Sequence, residues 1–245
     1  MALSVHFRAG VKTAVPLWFA FIPIAFAMGV AAKAHGLYWT EIVLMSALVY
    51  SGPAQFAALE PLSAGKPALQ VLLATFLINV RFLPMSATLA PYLRWAKGIR
   101  LLLAAHLVTP SSFILTHVHV QKEKRPPGSP AKSEILDEGG KYLDYFYGVS
   151  TTCFLVWVAG TGFGYWAALA VPPAFNEGLR FVLPGYFACI FALEIRGWLL
   201  RSVCLISLLV AVPTAVLSPE WGWLVTSLIV ATCIWGVEQW TKPTS

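Results

Sequence analysis

Apolar runs of about span length dominate the chain, separated by short polar or proline-containing breaks. Eight such segments can be marked, at roughly 16–33, 42–60, 68–91, 99–120, 146–171, 179–195, 200–217 and 221–238. A bilayer-crossing helix needs about 20 apolar residues. The runs lack the residue-by-residue alternation of barrel strands. The pattern therefore predicts an all-α polytopic membrane protein with about seven to eight hydrophobic segments. One long hydrophilic stretch, Gln121 to Asp144, carries five basic and five acidic residues. It predicts a first membrane half over 1–120, a linker over 121–145 and a second half over 146–245. The halves look related. PIAFAMG in segment one is matched by GTGFG in segment five, and SGP in segment two by LPGYF in segment six.

Two segments are interrupted inside an apolar run. Segment two contains Ser51, Gly52 and Pro53, followed by Gln55 and Phe56. A proline inside a helix removes one N–H and clashes with the carbonyl four residues back, here that of Val49. In lipid, a broken backbone survives only where it is buried in protein or lines a cavity. Transporters use such breaks to present backbone groups to a substrate. The plainer reading is a tolerated proline kink. Segment six offers a second break at Pro184 and Gly185. Gly160 and Gly164, with Gly148 before them, have the spacing that lets helices pack closely.

Composition sharpens this picture. The chain has 245 residues, 58% hydrophobic and 11% charged, with a mean hydropathy of +0.71. Soluble domains carry about 25% charged residues. The net charge is +6, but the basic residues are scattered among loops, so topology explains the excess and nucleic acid is not expected. The four cysteines lie in apolar runs without a CxxC pair and predict small packing residues. No phosphate loop, nucleophile elbow or metal motif is present, so no enzyme, cofactor or metal site is expected. Charge leaves the orientation open. Arg8 and Lys12 favour a cytoplasmic N-terminus, and so do Arg94, Lys97 and Arg100 for their loop. Both hold only if one intervening segment, naturally the broken second one, is re-entrant, which leaves the linker outside. If every segment crosses, the linker is inside and the 94–100 loop outside.

The chemistry concentrates at a few positions. Arg81 is a charge within an apolar run, close to Asn79 and Pro84. A central charge costs about 2.5–3.5 kcal/mol on insertion scales, so Arg81 should face the bundle interior. It can hold a substrate carboxylate or clamp broken-helix carbonyls, with Glu60 as its expected ion partner. His106, Thr109, Pro110, Ser111 and Ser112 form a third polar break. Glu60, His106 and Ser111 are the candidates for coupling or proton relay.

In PIAFAMGVAAKAHGL, MSALVYSGPAQFAAL, INVRFLPMSATLAP, AAHLVTPSSF, GTGFG and FVLPGYFACIF, taken in order, the chain resembles the AzlC family of branched-chain amino-acid permeases. The resemblance implies export of valine-like or other small hydrophobic amino acids across a bacterial inner membrane. It also implies a small AzlD-type membrane subunit as partner. It places the functional core at Ser51, Gly52, Pro53, Gln55, Phe56, Asn79 and Arg81. The sequence departs from the family at Thr109-Pro110-Ser111-Ser112-Phe113, where relatives commonly read T-D-E-x-F, and at Asn79, where some carry Asp.

Overall fold

The computed structural model describes residues 4–123 and 139–170, isolated positions between 172 and 188, and the helices over 198–217 and 222–241. The described residues form ten helices and no strands. They are α1 (Val5–Ala34), α2 (Trp39–Leu48), α3 (Gly52–Ser63), α4 (Ala68–Asn79), α5 (Phe82–Leu93), α6 (Ile99–His106), α7 (Pro110–Glu123), α8 (Gly139–Ala167), α9 (Trp198–Leu217) and α10 (Gly222–Thr241). The all-helical polytopic architecture expected from the hydropathy pattern is present. The linker is shorter than expected, because α7 runs on to Glu123 and α8 already begins at Gly139. Glu123 accepts from the Tyr142 hydroxyl at 2.9 Å and pairs with Lys141 at 3.1 Å, which ties the two helix ends together.

The chain divides into two compact units, Met1–Leu183 and Pro184–Ser245. In the second, α9 and α10 make a hairpin. Gly222 packs on the backbone at Thr214, and Thr214 and Thr226 share a hydroxyl hydrogen bond of 2.5 Å. The first unit is built on α1 and α8, which keep their length although α1 contains Pro16 and Pro23. Their seam is made by glycines. A Cβ on Gly10 would run into the Tyr145 carbonyl and one on Gly148 into the Phe7 carbonyl. Gly29 meets Thr161 in the same way, and Gly164 meets Phe26. Each glycine thus faces the carbonyl three residues before its counterpart. This reciprocity marks a local twofold axis along the pair. Residue numbers rise together on both sides, so α1 and α8 are parallel. The close packing expected of Gly148, Gly160 and Gly164 is realised here, with Gly160 against Ala25.

Helix α8 also serves as a ruler for the remaining helices. Trp39 at the start of α2 meets Trp166, whereas Tyr50 just beyond its end meets Phe154. At 1.5 Å per residue, this is a descent of about 18 Å. The chain then turns back. Gln55 in α3 bonds to Met45 in α2, and Leu62 and Ser63 share a groove of about 560 Å³ with His35, Tyr38 and Glu41. Next, α4 and α5 run to the opposite end of α8, where Tyr92 meets Tyr142, with a bend of 51° between them. Finally, α6 rises from Arg100, beside Tyr147, to His106, beside Phe154. A bend of 106° then returns α7 to His119, stacked on Tyr145 at 3.9 Å.

Candidate functional site

Two helix breaks meet beside the middle of α8. The first spans Val49 to Ser51, between α2 and α3. The interruption expected at Ser51-Gly52-Pro53 is present, and Pro53 does not make the plainer alternative, a kink in a continuous helix. It sits in the first turn of a new one, where its missing N–H costs nothing. A helix end leaves its last carbonyls without intrahelical donors, and at this end side chains from elsewhere supply them. Gln55 Nε2 donates to the Met45 carbonyl at 3.0 Å, and His106 Nε2 bonds to the Ala47 carbonyl at 2.8 Å. A carbonyl only accepts, so His106 carries its proton on Nε2 in this contact. Gln55 is fully buried, and its Oε1 accepts from Trp157 Nε1 at 3.1 Å. Gly52 is needed here, because a Cβ would lie 2.8 Å from the Trp157 ring edge.

The second break, at Leu107 to Thr109, closes on itself. Ser112 Oγ accepts from the Thr109 amide at 2.9 Å and lies 3.0 Å from the Leu107 carbonyl, to which it donates. It was Ser112, not Ser111, that became the buried member of this motif.

Among the described residues, three of the buried side-chain atoms left without a partner stand at the first break, the others being on Trp18, Asn79, Arg81, Thr116 and His117. Ser46, Tyr50 and Ser51 are buried, and their hydroxyls have no hydrogen-bond partner. Ser51 is the N-cap of α3 yet caps nothing. Pro53 has no N–H, so the Gly52 and Ala54 amides are the donors left at this helix start. The described residues buried in the core include eight polar ones, all uncharged.

Asn79 and Arg81 lie at the α4–α5 break, midway along that pair. Arg81 is half-buried, and both Arg81 Nε and Asn79 Oδ1 are buried without a partner. The guanidinium lies 5.2 Å from the Phe82 ring centre. The expected Glu60–Arg81 ion pair is absent: among the described residues Arg81 has no ion pair, and Glu60 is exposed. Glu60 is near the end of α3, on the arm that leads to the groove with His35 and Tyr38, while Arg81 stands at the α4–α5 break. Gly52, Pro53 and Phe56 are half-buried around the first break. Pro184 lies outside the described residues, and Gly185 is an isolated helical position among residues also outside them. Three or more potential metal ligands do not cluster anywhere among the described residues.

Sequence reasoning missed Trp157 and the hydroxyls of Ser46 and Tyr50. Trp157 carried one usable signal, because a buried indole N–H requires an acceptor. A tryptophan in the apolar run FLVWVAG therefore called for a polar partner such as Gln55.

Comparison with known proteins follows the same outline. No solved structure matches the chain. It is 26% identical to the inner membrane protein YgaZ of Escherichia coli K12 over 93% of its own length and 92% of the relative's. It is 27% identical to an uncharacterized membrane protein of Haemophilus influenzae over 78% of this chain and 71% of that one. A shorter match, 31% identical, covers 38% of this chain and 42% of an uncharacterized membrane protein of Archaeoglobus fulgidus. The family model described as AzlC protein matches residues 16–171, which include both breaks, Arg81 and Trp157. The protein is thus a multi-pass membrane protein, and it belongs to the AzlC family.

Proposed function

We propose that the protein is a secondary transporter that exports small hydrophobic amino acids across the bacterial inner membrane, working with a small AzlD-type subunit. The observation that carries this reading is the start of α3. Its amides at Gly52 and Ala54 and the Ser51 hydroxyl are unused inside a buried, uncharged polar core. A helix N-terminus favours an anionic group, so this point suits the substrate carboxylate. A core without buried carboxylates suits a solute that brings no net charge. The Tyr50 and Phe154 rings can face its ammonium or its side chain. Arg81 adds a half-buried cation at similar depth, and Asn79, Gln55, Phe56 and Pro53 shape the surroundings. Direction, substrate class and partner rest on family likeness. Coupling to protons through Glu60, His106 or Ser111 is weakened as a reading, since His106 already serves the Ala47 carbonyl and Glu60 is exposed.

The same bonded carbonyls favour a second reading, a non-transporting component whose breaks only shape packing. Efflux of radiolabelled valine and methionine separates the two. Cells producing this chain with its neighbouring small membrane protein should lose label several-fold faster than cells with neither. Arg81→Ala, inserted at normal level, should abolish the difference. Equal retention in all cells would favour the packing role.

A further inference from the structure

The path of the chain along α8 carries a conclusion that stands apart from which solute is moved. We infer that Trp39–Ser63 and Ile99–Glu123 do not cross the membrane. They are re-entrant hairpins that enter from opposite faces and meet tip to tip at mid-depth, and their junction is the site.

Length is the first argument. At 1.5 Å per residue, α2 and α3 are about 15 and 18 Å long, and α6 and α7 about 12 and 21 Å. The hydrocarbon core is about 30 Å thick, so each of these reaches roughly half-way. Direction is the second. The start of α2 and the end of α3 lie together at the C-terminal end of α8, around Tyr38 and Ser63. The start of α6 and the end of α7 lie together at its N-terminal end, around Tyr147 and Tyr142. Both turns lie near Phe154, with His106 of one hairpin bonded to Ala47 of the other.

Backbone polarity is the third argument. A non-helical tip is tolerated at membrane depth only when it is covered by protein and its polar groups find partners. Tyr50, Ser51, Leu107, Val108 and Thr109 are all buried, and Gln55, His106 and Ser112 serve the tip carbonyls.

Charge then sets the orientation. With two hairpins, α1, the α4–α5 pair and α8 are the crossings of this unit, which agrees with parallel α1 and α8. Arg8, Lys12, Arg94, Lys97, Arg100 and Lys122 all fall at the N-terminal end of α8, against Lys33 and Lys66 at the other. The end rich in Lys and Arg is cytoplasmic. This resolves the conflict in the sequence, since the N-terminus, the 94–98 loop and the linker share one side. The α2–α3 hairpin therefore opens outward and the α6–α7 hairpin inward, and the His106–Ala47 bond joins the two gates.

Single cysteines in a chain whose four native cysteines are replaced by alanine test this. In spheroplasts, Ala34→Cys and Ala64→Cys should both react with a membrane-impermeant maleimide. Lys97→Cys and Lys122→Cys should react only after the membrane is opened. Positions 34 and 64 on opposite faces, or 97 and 122 on opposite faces, would overturn the inference. Alkaline phosphatase fused after residue 66 or 97 repeats the test without cysteine substitution. Activity at 66 and none at 97 is expected, and the reverse would mean that Trp39–Ser63 crosses and would overturn the inference.

Discussion

The two helix breaks differ in who closes them. The Leu107–Thr109 turn is sealed by Ser112, within five residues along the chain. The Val49–Ser51 turn is held by Gln55, by His106, 59 residues away from the carbonyl it serves, and through Gln55 by Trp157, 102 residues away. A locally closed turn keeps its shape whatever its neighbours do. A remotely braced turn keeps its shape only while three helices stay in place, and it leaves Ser46, Tyr50 and Ser51 unused. The first hairpin is therefore the natural place for a solute and for motion. The second is the natural abutment.

The comparison is broken most severely by Gln55→Leu. It leaves the Met45 carbonyl with one fewer donor and strands the Trp157 indole N–H in an apolar core. Unpaired buried groups cost about 1–3 kcal/mol each. A clear fall in the thermal midpoint in detergent is expected, and an unchanged midpoint would mean that the bracing is idle. Gly52→Ala comes next. Its Cβ must displace an indole edge 2.8 Å away that Gln55 holds in place. Overpacking of this kind costs about 1–3 kcal/mol, and the same melting measurement reads it.

Smaller effects sharpen the contrast. Ser112→Ala removes the local seal and should cost about 1 kcal/mol, as lost helix caps do, with efflux per folded molecule unchanged. His106→Leu strands the Ala47 carbonyl at a similar cost, yet it should also lower efflux, because it frees the remotely braced tip. His106→Gln still donates from an amide and should recover both stability and efflux. A proton relay would not be recovered by an amide, so failure of this rescue would return His106 to a coupling role.

Much of this was legible in the residues. Ser51-Gly52-Pro53 located the first break, Pro110 the second, and the glycine spacing in segment five the α1–α8 seam. The direction of the chain was not legible. Hydropathy counts apolar residues, and two half-length helices folded back on each other total the same as one span. The charge conflict between the 94–100 loop and the linker was the trace of that folding, because one re-entrant segment could not satisfy both and two can. The Glu60–Arg81 pair was misassigned on sequence proximity of two apolar segments alone, whereas Glu60 is exposed near the end of α3 and Arg81 stands at the α4–α5 break. Bracing by Trp157 was hidden because its partner lies on the other side of the linker.

The smallest expected change in stability is also the sharpest test of the difference between the breaks. The Ser51 hydroxyl is buried and bonds to nothing. Removing a polar group that has no partner forfeits no hydrogen bond and relieves its desolvation cost, so Ser51→Ala should be neutral or slightly stabilising, within about 0.5 kcal/mol. If that hydroxyl and the Gly52 and Ala54 amides receive a carboxylate, the same variant should need several-fold more substrate for half-maximal efflux. Thr109→Ala at the other tip removes a hydroxyl that is already engaged with Ser112, so it should lower the melting point and leave the substrate requirement alone. A protein that is built only to pack would show the same melting behaviour, with no effect of Ser51→Ala on efflux.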